Sequence, residues 1–253
     1  MDFLVNALRL AVSWLTVIPV TGPAVVDRRT AGHAITLAPL IGLTLGAVTA
    51  AVLWLLVSAG LTALLAGLLV VGLLALLTRG MHLDGLADTV DGLGSYGPPQ
   101  RAREIMKSGG AGPFGVAALV FAIAIQSVAF ATLADQHRWL ALVLAVAAGR
   151  VAVVPACRLG IPAAPDAGFG ALVAGTQPRA AVLIWPALAV GAAVWAVPDN
   201  LWLGPVVMVA ALASAVAVTR HCVRRFEGLS GDILGAVVEI TVSIAAVGFS
   251  LAL

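Results

Sequence analysis

The sequence predicts an all-α, polytopic integral membrane bundle of about seven spans, with an interfacial helix at its N-terminus. Three observations predict it. Hydrophobic residues make up 61% of the 253 residues, charged residues only 10%, and mean hydropathy is +1.08. A soluble surface carries about a quarter charged residues, so the solvent implied here is lipid. Apolar runs near the roughly 20 residues that cross a bilayer core as helix recur along the chain, and basic residues collect on one set of the loops between them. The chain, 1–253, reads as a single membrane domain.

The elements follow in order. The run Ala11 to Val20 has only Arg9 before it and no clear small-residue cleavage site after it, so it does not read as a signal peptide. Asn6, Arg9, Ser13 and Thr16 interrupt the apolar pattern and Pro19 ends it, which predicts a short interfacial helix over 2–18. Seven runs then predict spans at 34–57, 61–78, 114–133, 139–157, 181–197, 201–219 and 233–252. The fifth and sixth are short and joined by Pro198-Asp199-Asn200, a tight helical hairpin.

Long or charged connections (19–33, 79–112, 158–180, 220–232) alternate with short ones (58–60, 134–138, 198–200), so the two sets fall on opposite faces. The long-loop face holds Arg28, Arg29, Arg79, Arg101, Arg103, Lys107, Arg158, Arg179, Arg220, Arg224 and Arg225; the short-loop face holds Arg138. Basic residues mark the cytoplasmic side, which predicts a multi-pass protein of the cell (inner) membrane, its active face cytoplasmic and its C-terminus outside. The net charge of +2 gives no reason to expect nucleic acid. Cys157 and Cys222 form no paired motif and read as apolar filler. Membrane lipid is an expected partner, and a homo-oligomer is left open.

Three of the twelve acids, Asp84, Asp88 and Asp91, fall within eight residues directly after the second run. At about 100° per residue, Asp88 lies about 40° to one side of Asp84 and Asp91 about 20° to the other. A helix here presents three carboxylates on one stripe. Like charges so spaced repel, more strongly beside a low-dielectric bilayer. A hard divalent cation with oxygen ligands offsets this best, and Mg²⁺ suits it. Asp84, Asp88 and Asp91 are therefore the expected metal ligands and catalytic residues. Gly80, Gly85, Gly92 and Gly94 leave room for a backbone or ligand to approach. His82 lies about 160° from the stripe, a poor position for the same ion; it remains a candidate for substrate contact.

Arg101, Arg103 and Lys107 follow closely and are candidates for binding phosphate oxygens. The loop Ser108-Gly109-Gly110-Ala111-Gly112-Pro113-Phe114-Gly115 leads into the third span. Near the C-terminus, Asp232 is a plausible N-cap of the last span. Glu239 shares its face about 10 Å deeper and is, with Asp232, a candidate catalytic residue. Arg150 sits at a similar depth and predicts an Arg150–Glu239 pair; it is also a candidate for substrate contact. The chemistry is expected in segments 79–112 and 220–239.

These residues carry a family resemblance. His82-Leu83-Asp84-Gly85-Leu86-Ala87-Asp88-Thr89-Val90-Asp91-Gly92 resembles the motif of the cobalamin synthases, the adenosylcobinamide-GDP ribazoletransferases. Leu15-Thr16-Val17-Ile18-Pro19-Val20, Pro39-Leu40-Ile41-Gly42, Glu104-Ile105-Met106-Lys107, Gly112 with Gly115, and Leu229-Ser230-Gly231-Asp232-Ile233-Leu234-Gly235-Ala236 with Glu239 resemble further family elements in the family's order. The chain departs at Ser108-Gly109-Gly110, where the family usually has Asp-Ser-Arg, and at Arg79, where it tends to have Gly. The resemblance implies a Mg²⁺-dependent membrane enzyme that joins α-ribazole, or its 5′-phosphate, to adenosylcobinamide-GDP, giving coenzyme B12 or its phosphate and GMP. A CDP-alcohol-type phosphotransferase is the nearer alternative, though its acidic spacing is longer. An ion-coupled transporter is the other, without the inverted repeat such carriers often have.

Overall fold

The computed structural model describes residues 2–23, 25–165 and 168–251. Among these every regular element is helical, and the only extended pairings are isolated bridges of Arg158 with Gln177 and Ala163 with Leu229. The order is α1 (Asp2–Leu15), α2 (Arg28–Ser58), α3 (Ala63–Leu77), α4 (Met81–Gly94), α5 (Pro99–Met106), α6 (Pro113–Asp135), α7 (Trp139–Ala156), α8 (Gly168–Val173), α9 (Arg179–Ala192) with a 3₁₀ turn at Ala193–Trp195, α10 (Leu203–Phe226) and α11 (Gly231–Ser250).

Five of these, α2, α6, α7, α10 and α11, are long and apolar enough to cross a membrane. The runs expected at 61–78 and 181–197 form shorter helices. α3 has 15 residues, about 22 Å at 1.5 Å per residue. It stops because Arg79 and Gly80 adopt left-handed backbone, φ 55° and 69°, and the chain turns by 91° into α4. α4 therefore lies across the end of α3 instead of prolonging it. α9 contains Pro186 and tightens into its 3₁₀ turn.

α7 is the centre of the bundle: residues 144–156 are all buried. α2 runs along it at close range, since a Cβ on Gly46 would stand 2.6 Å from the Val143 carbonyl and one on Gly42 3.1 Å from Ala147 Cα. On another side Gly149 admits Val238 and Val242 of α11. Small residues at such crossings are how helices approach in lipid, where burial alone gives no advantage. The outer faces stay apolar, with Trp54, Leu68, Phe121 and Leu183 exposed. That exterior and the long apolar helices make this a multi-pass membrane bundle.

The two ends of the bundle differ. At one, Arg138 donates to the carbonyls of Phe249 and Leu251 at 2.9 and 2.8 Å and reaches Asp199 at 3.5 Å. At the other, arginines tie the longer connections together. Arg28 donates to the carbonyls of Ala171 and Ala174, Arg79 to those of Ser13 and Trp14, and Arg225 to those of Ser95 and Gly97. Gln177 is buried against α2, donating to Gly32 and accepting from Thr36.

Candidate active site

The site is built where α4 crosses α11. Gly85 and Gly235 let the two backbones touch: a Cβ on Gly85 would lie 2.7 Å from the Asp232 carbonyl, and one on Gly235 3.1 Å from those of Met81 and His82. Asp84 and Asp88, one residue before and three after Gly85, are thereby set beside Asp232. The start of α11 is fixed independently. Leu229 donates to Pro162, Ala164 donates to Leu229, and Ser230 caps the helix by accepting from Ile233 N–H at 3.4 Å. Asp232, expected as the N-cap, instead stands in the first turn with its side chain available to the site, because Ser230 already occupies the capping position.

Asp84, Asp88, Asp232 and Lys107 line a cavity of about 410 Å³, closed on one side by Met106, Gly109, Gly110 and Ala111. Asp84 is exposed and Asp88 half-buried. The Asp88 carboxyl is pushed up to about 6, first by burial and then by Asp84, Asp232 and Asp91. A carboxyl strained in this way is stabilised by a cation.

The third member of the acidic stripe does something else. Asp91 is 8% exposed and accepts the Gly112 N–H at 2.6 Å and the Gly115 N–H at 2.9 Å. A Cβ on Gly112 or Gly115 would stand 2.6 or 2.3 Å from its carboxylate oxygens, so both must be glycine. Asp91 thus anchors the turn into α6 and, through it, the glycine-rich side of the cavity.

The other expected residues divide. His82 is buried, with Nδ1 3.3 Å from Arg150 Nη2. The expected Arg150–Glu239 pair does not form as a contact. Glu239 accepts from Gln126 Nε2 at 2.7 Å, and Gln126 also reaches Ser243. Arg150 and Glu239 share the lining of an inner cavity of about 20 Å³, near enough to attract each other without touching. The physical reason is reach: Arg150 is turned toward α4, while the amide of Gln126 on α6 faces the carboxylate. Neither Arg150 nor Glu239 lines the 410 Å³ cavity.

Arg101 is not brought to the cavity; it is exposed and pairs with Glu104 at 3.2 Å, one turn away on the same helix. Arg103 pairs with Glu227 and donates to the Phe226 carbonyl at 3.2 Å, fixing α5 to the end of α10. Of the three basic candidates, Lys107 reaches the acidic cavity. Gln126 escaped the sequence reading, although a lone amide within an apolar run is a signal that it has a polar partner.

The carboxylate donors suit a hard cation, and the raised Asp88 carboxyl fits the same group. Among the described residues no three His, Cys, Asp or Glu side chains close round a point to hold one alone. The expected trio Asp84, Asp88 and Asp91 is thus not gathered around one point, since Asp91 is taken up by Gly112 and Gly115.

A family model described as cobalamin-5-phosphate synthase matches residues 7–250. An adenosylcobinamide-GDP ribazoletransferase of Corynebacterium efficiens is 36% identical over 249 residues, 96% of this chain and 90% of the relative. One of a Nocardioides species is 40% identical, covering 94% and 95%, and one of Stutzerimonas stutzeri 34% identical, covering 96% and 97%. No solved structure matches. The match runs through both halves of the site, from α4 to α11, and the chain belongs to the cobalamin-5-phosphate synthase family.

Proposed function

We infer that the chain is an adenosylcobinamide-GDP ribazoletransferase, joining α-ribazole or its 5′-phosphate to adenosylcobinamide-GDP with release of GMP. The observation that carries the mechanism is the meeting of Asp84, Asp88 and Asp232 with Lys107 on one cavity. Asp84 and Asp88, with Asp232 beside them, are the residues that would hold Mg²⁺ at this cavity. Bound there, a divalent cation would neutralise charge developing on the phosphate oxygens. Lys107 binds a phosphate oxygen. A ribose oxygen of the acceptor forms the new P–O bond as the bond to GMP breaks. Asp232 takes the hydroxyl proton. Asp91 acts through the turn it anchors, keeping Gly109 to Ala111 against the phosphates. Positioning and electrostatics supply most of the acceleration in such transfers.

The topology follows from the same reading. α3 and the α9 segment are the two short crossings, giving seven in all, and α1 lies in the interface. The arginine-rich end is cytoplasmic and the C-terminus outside, in the inner membrane. α4, turned across α3, brings the carboxylates to the cytoplasmic surface, where a large water-soluble corrinoid has access.

The test is conversion of adenosylcobinamide-GDP plus α-ribazole by membranes holding this chain, with Mg²⁺ and with EDTA. Metal-dependent release of GMP with formation of coenzyme B12, reduced on the order of a hundredfold in Asp88→Ala, is expected. No product from folded protein overturns the assignment.

A further inference from the structure

A second cavity, of about 290 Å³, adjoins the acidic one and shares Asp84 and Asp232 with it. Its other walls are of a different kind: Trp14 of α1, Phe169 of α8, aliphatic side chains including Ile35, Val153 and Val238, and Met81 and the buried His82 of α4. The two aromatic rings meet edge to face, centroids 4.7 Å apart and planes at 66°, and both remain partly uncovered. The elements that carry them are held by arginines from elsewhere in the fold. Arg79 bonds the carbonyls of Ser13 and Trp14 at the end of α1, and Arg28 bonds those of Ala171 and Ala174 around α8. The walls are therefore fixed before a ligand arrives, which lowers the entropic cost of binding.

The chemistry of this lining selects among the reactants. No Lys or Arg lines it, so a nucleoside diphosphate finds no counter-charge there. Its volume is near the lower end of the ligand-pocket range, about 300–1,000 Å³, too small for a corrinoid ring. A flat, uncharged bicyclic aromatic base fits both the size and the aromatic walls. A ribose attached to that base would extend to the shared carboxylates, Asp84 and Asp232.

We propose that this pocket, between α1, α4, α8 and α11, binds the base of the acceptor nucleoside, with its ribose directed at Asp84 and Asp232. It rests on the ribazoletransferase reading, in which the acceptor is a ribosylated benzimidazole. The pocket then explains how the reacting hydroxyl is oriented: the base is anchored between aromatic and aliphatic walls and the sugar spans to the acidic cavity. Trp14 and Phe169 determine which base is accepted.

The test is steady-state kinetics of the purified full chain in nanodiscs, with α-ribazole and adenosylcobinamide-GDP varied in turn and benzimidazole itself as inhibitor. In the wild type, benzimidazole is expected to compete with α-ribazole and not with adenosylcobinamide-GDP. Trp14→Ala and Phe169→Ala should each raise KM for α-ribazole and Ki for benzimidazole by about five- to tenfold, the loss of an aromatic contact. KM for adenosylcobinamide-GDP should stay within about twofold. If that KM rises instead, the pocket holds the donor and the proposal fails. If benzimidazole does not compete and both KM values stay put, lipid fills the pocket and the proposal fails too. Where a variant does not fold, the wild-type competition pattern decides. A folded wild type without any turnover sinks the ribazoletransferase reading; an active one with an unmoved acceptor KM sinks only the pocket.

Discussion

Gly85 and Gly235 face each other across the α4–α11 crossing, with Gly235 Cα 3.1 Å from where a side chain on Gly85 would begin. The contact is backbone on backbone, so neither position has slack. Asp84 and Asp88 flank one glycine, and Asp232 precedes the other by three residues. The distance between the two acidic elements is thus set by the absence of two side chains.

Alanine at Gly85 should therefore act on both stability and chemistry. Its Cβ would press on the backbone of Asp232 at 2.7 and 2.9 Å, and overpacking of this kind costs about 1–3 kcal/mol. A displacement of about 1 Å at a reacting group costs on the order of a hundredfold in rate. Gly72, with nothing within 4 Å of its Cβ position, is the control: Gly72→Ala should leave turnover unchanged. Thermal melting in detergent and GMP release from the same preparations check both.

Asp88 should couple metal, pH and stability. Its carboxyl is raised to about 6, by burial first and by three neighbouring carboxyls after it. Because the folded value exceeds the unfolded one, near 3.8, the metal-free fold is penalised as pH rises, and the penalty is complete above about 6. Acidification from pH 8 through 6 relieves it. The metal-free protein should then gain stability from Asp88→Asn at pH 8 and not at pH 4. Mg²⁺, which needs the ionised form, should raise the melting temperature at pH 8 and lose that effect as pH falls through about 6. Melting curves at the three pH values, with and without EDTA, read the sign directly.

Asp91 should behave unlike Asp84. Asp91→Ala leaves the Gly112 and Gly115 N–H groups without their acceptor, at about 1–3 kcal/mol for each donor left unsatisfied. Asp84 is exposed, so Asp84→Ala should shift stability by no more than about 0.5 kcal/mol. Both should lower turnover. Melting in detergent without metal separates the two: a stable Asp91→Ala would contradict the anchoring role.

The sequence by itself determined the helical membrane bundle and the family. A chain with 10% charged residues has to bury its backbone polar groups in helices within lipid, and five long apolar helices formed where apolar runs predicted spans. The segments that carry the site were legible because acids are scarce in such a chain and their helical spacing is local. Other features depended on contacts between distant segments. The left-handed Arg79 and Gly80 that turn α4 through 91° belong to a conformation no periodicity encodes. Burial of Asp91 required the amides of Gly112 and Gly115, over twenty residues away. Pairing of Arg101 with Glu104 rather than with the cavity, and of Glu239 with Gln126 rather than Arg150, was decided by which helix faces met. Spacing along one helix fixes which side chains share a face. Only packing between helices fixes what that face meets, and here glycines at the crossings decided it.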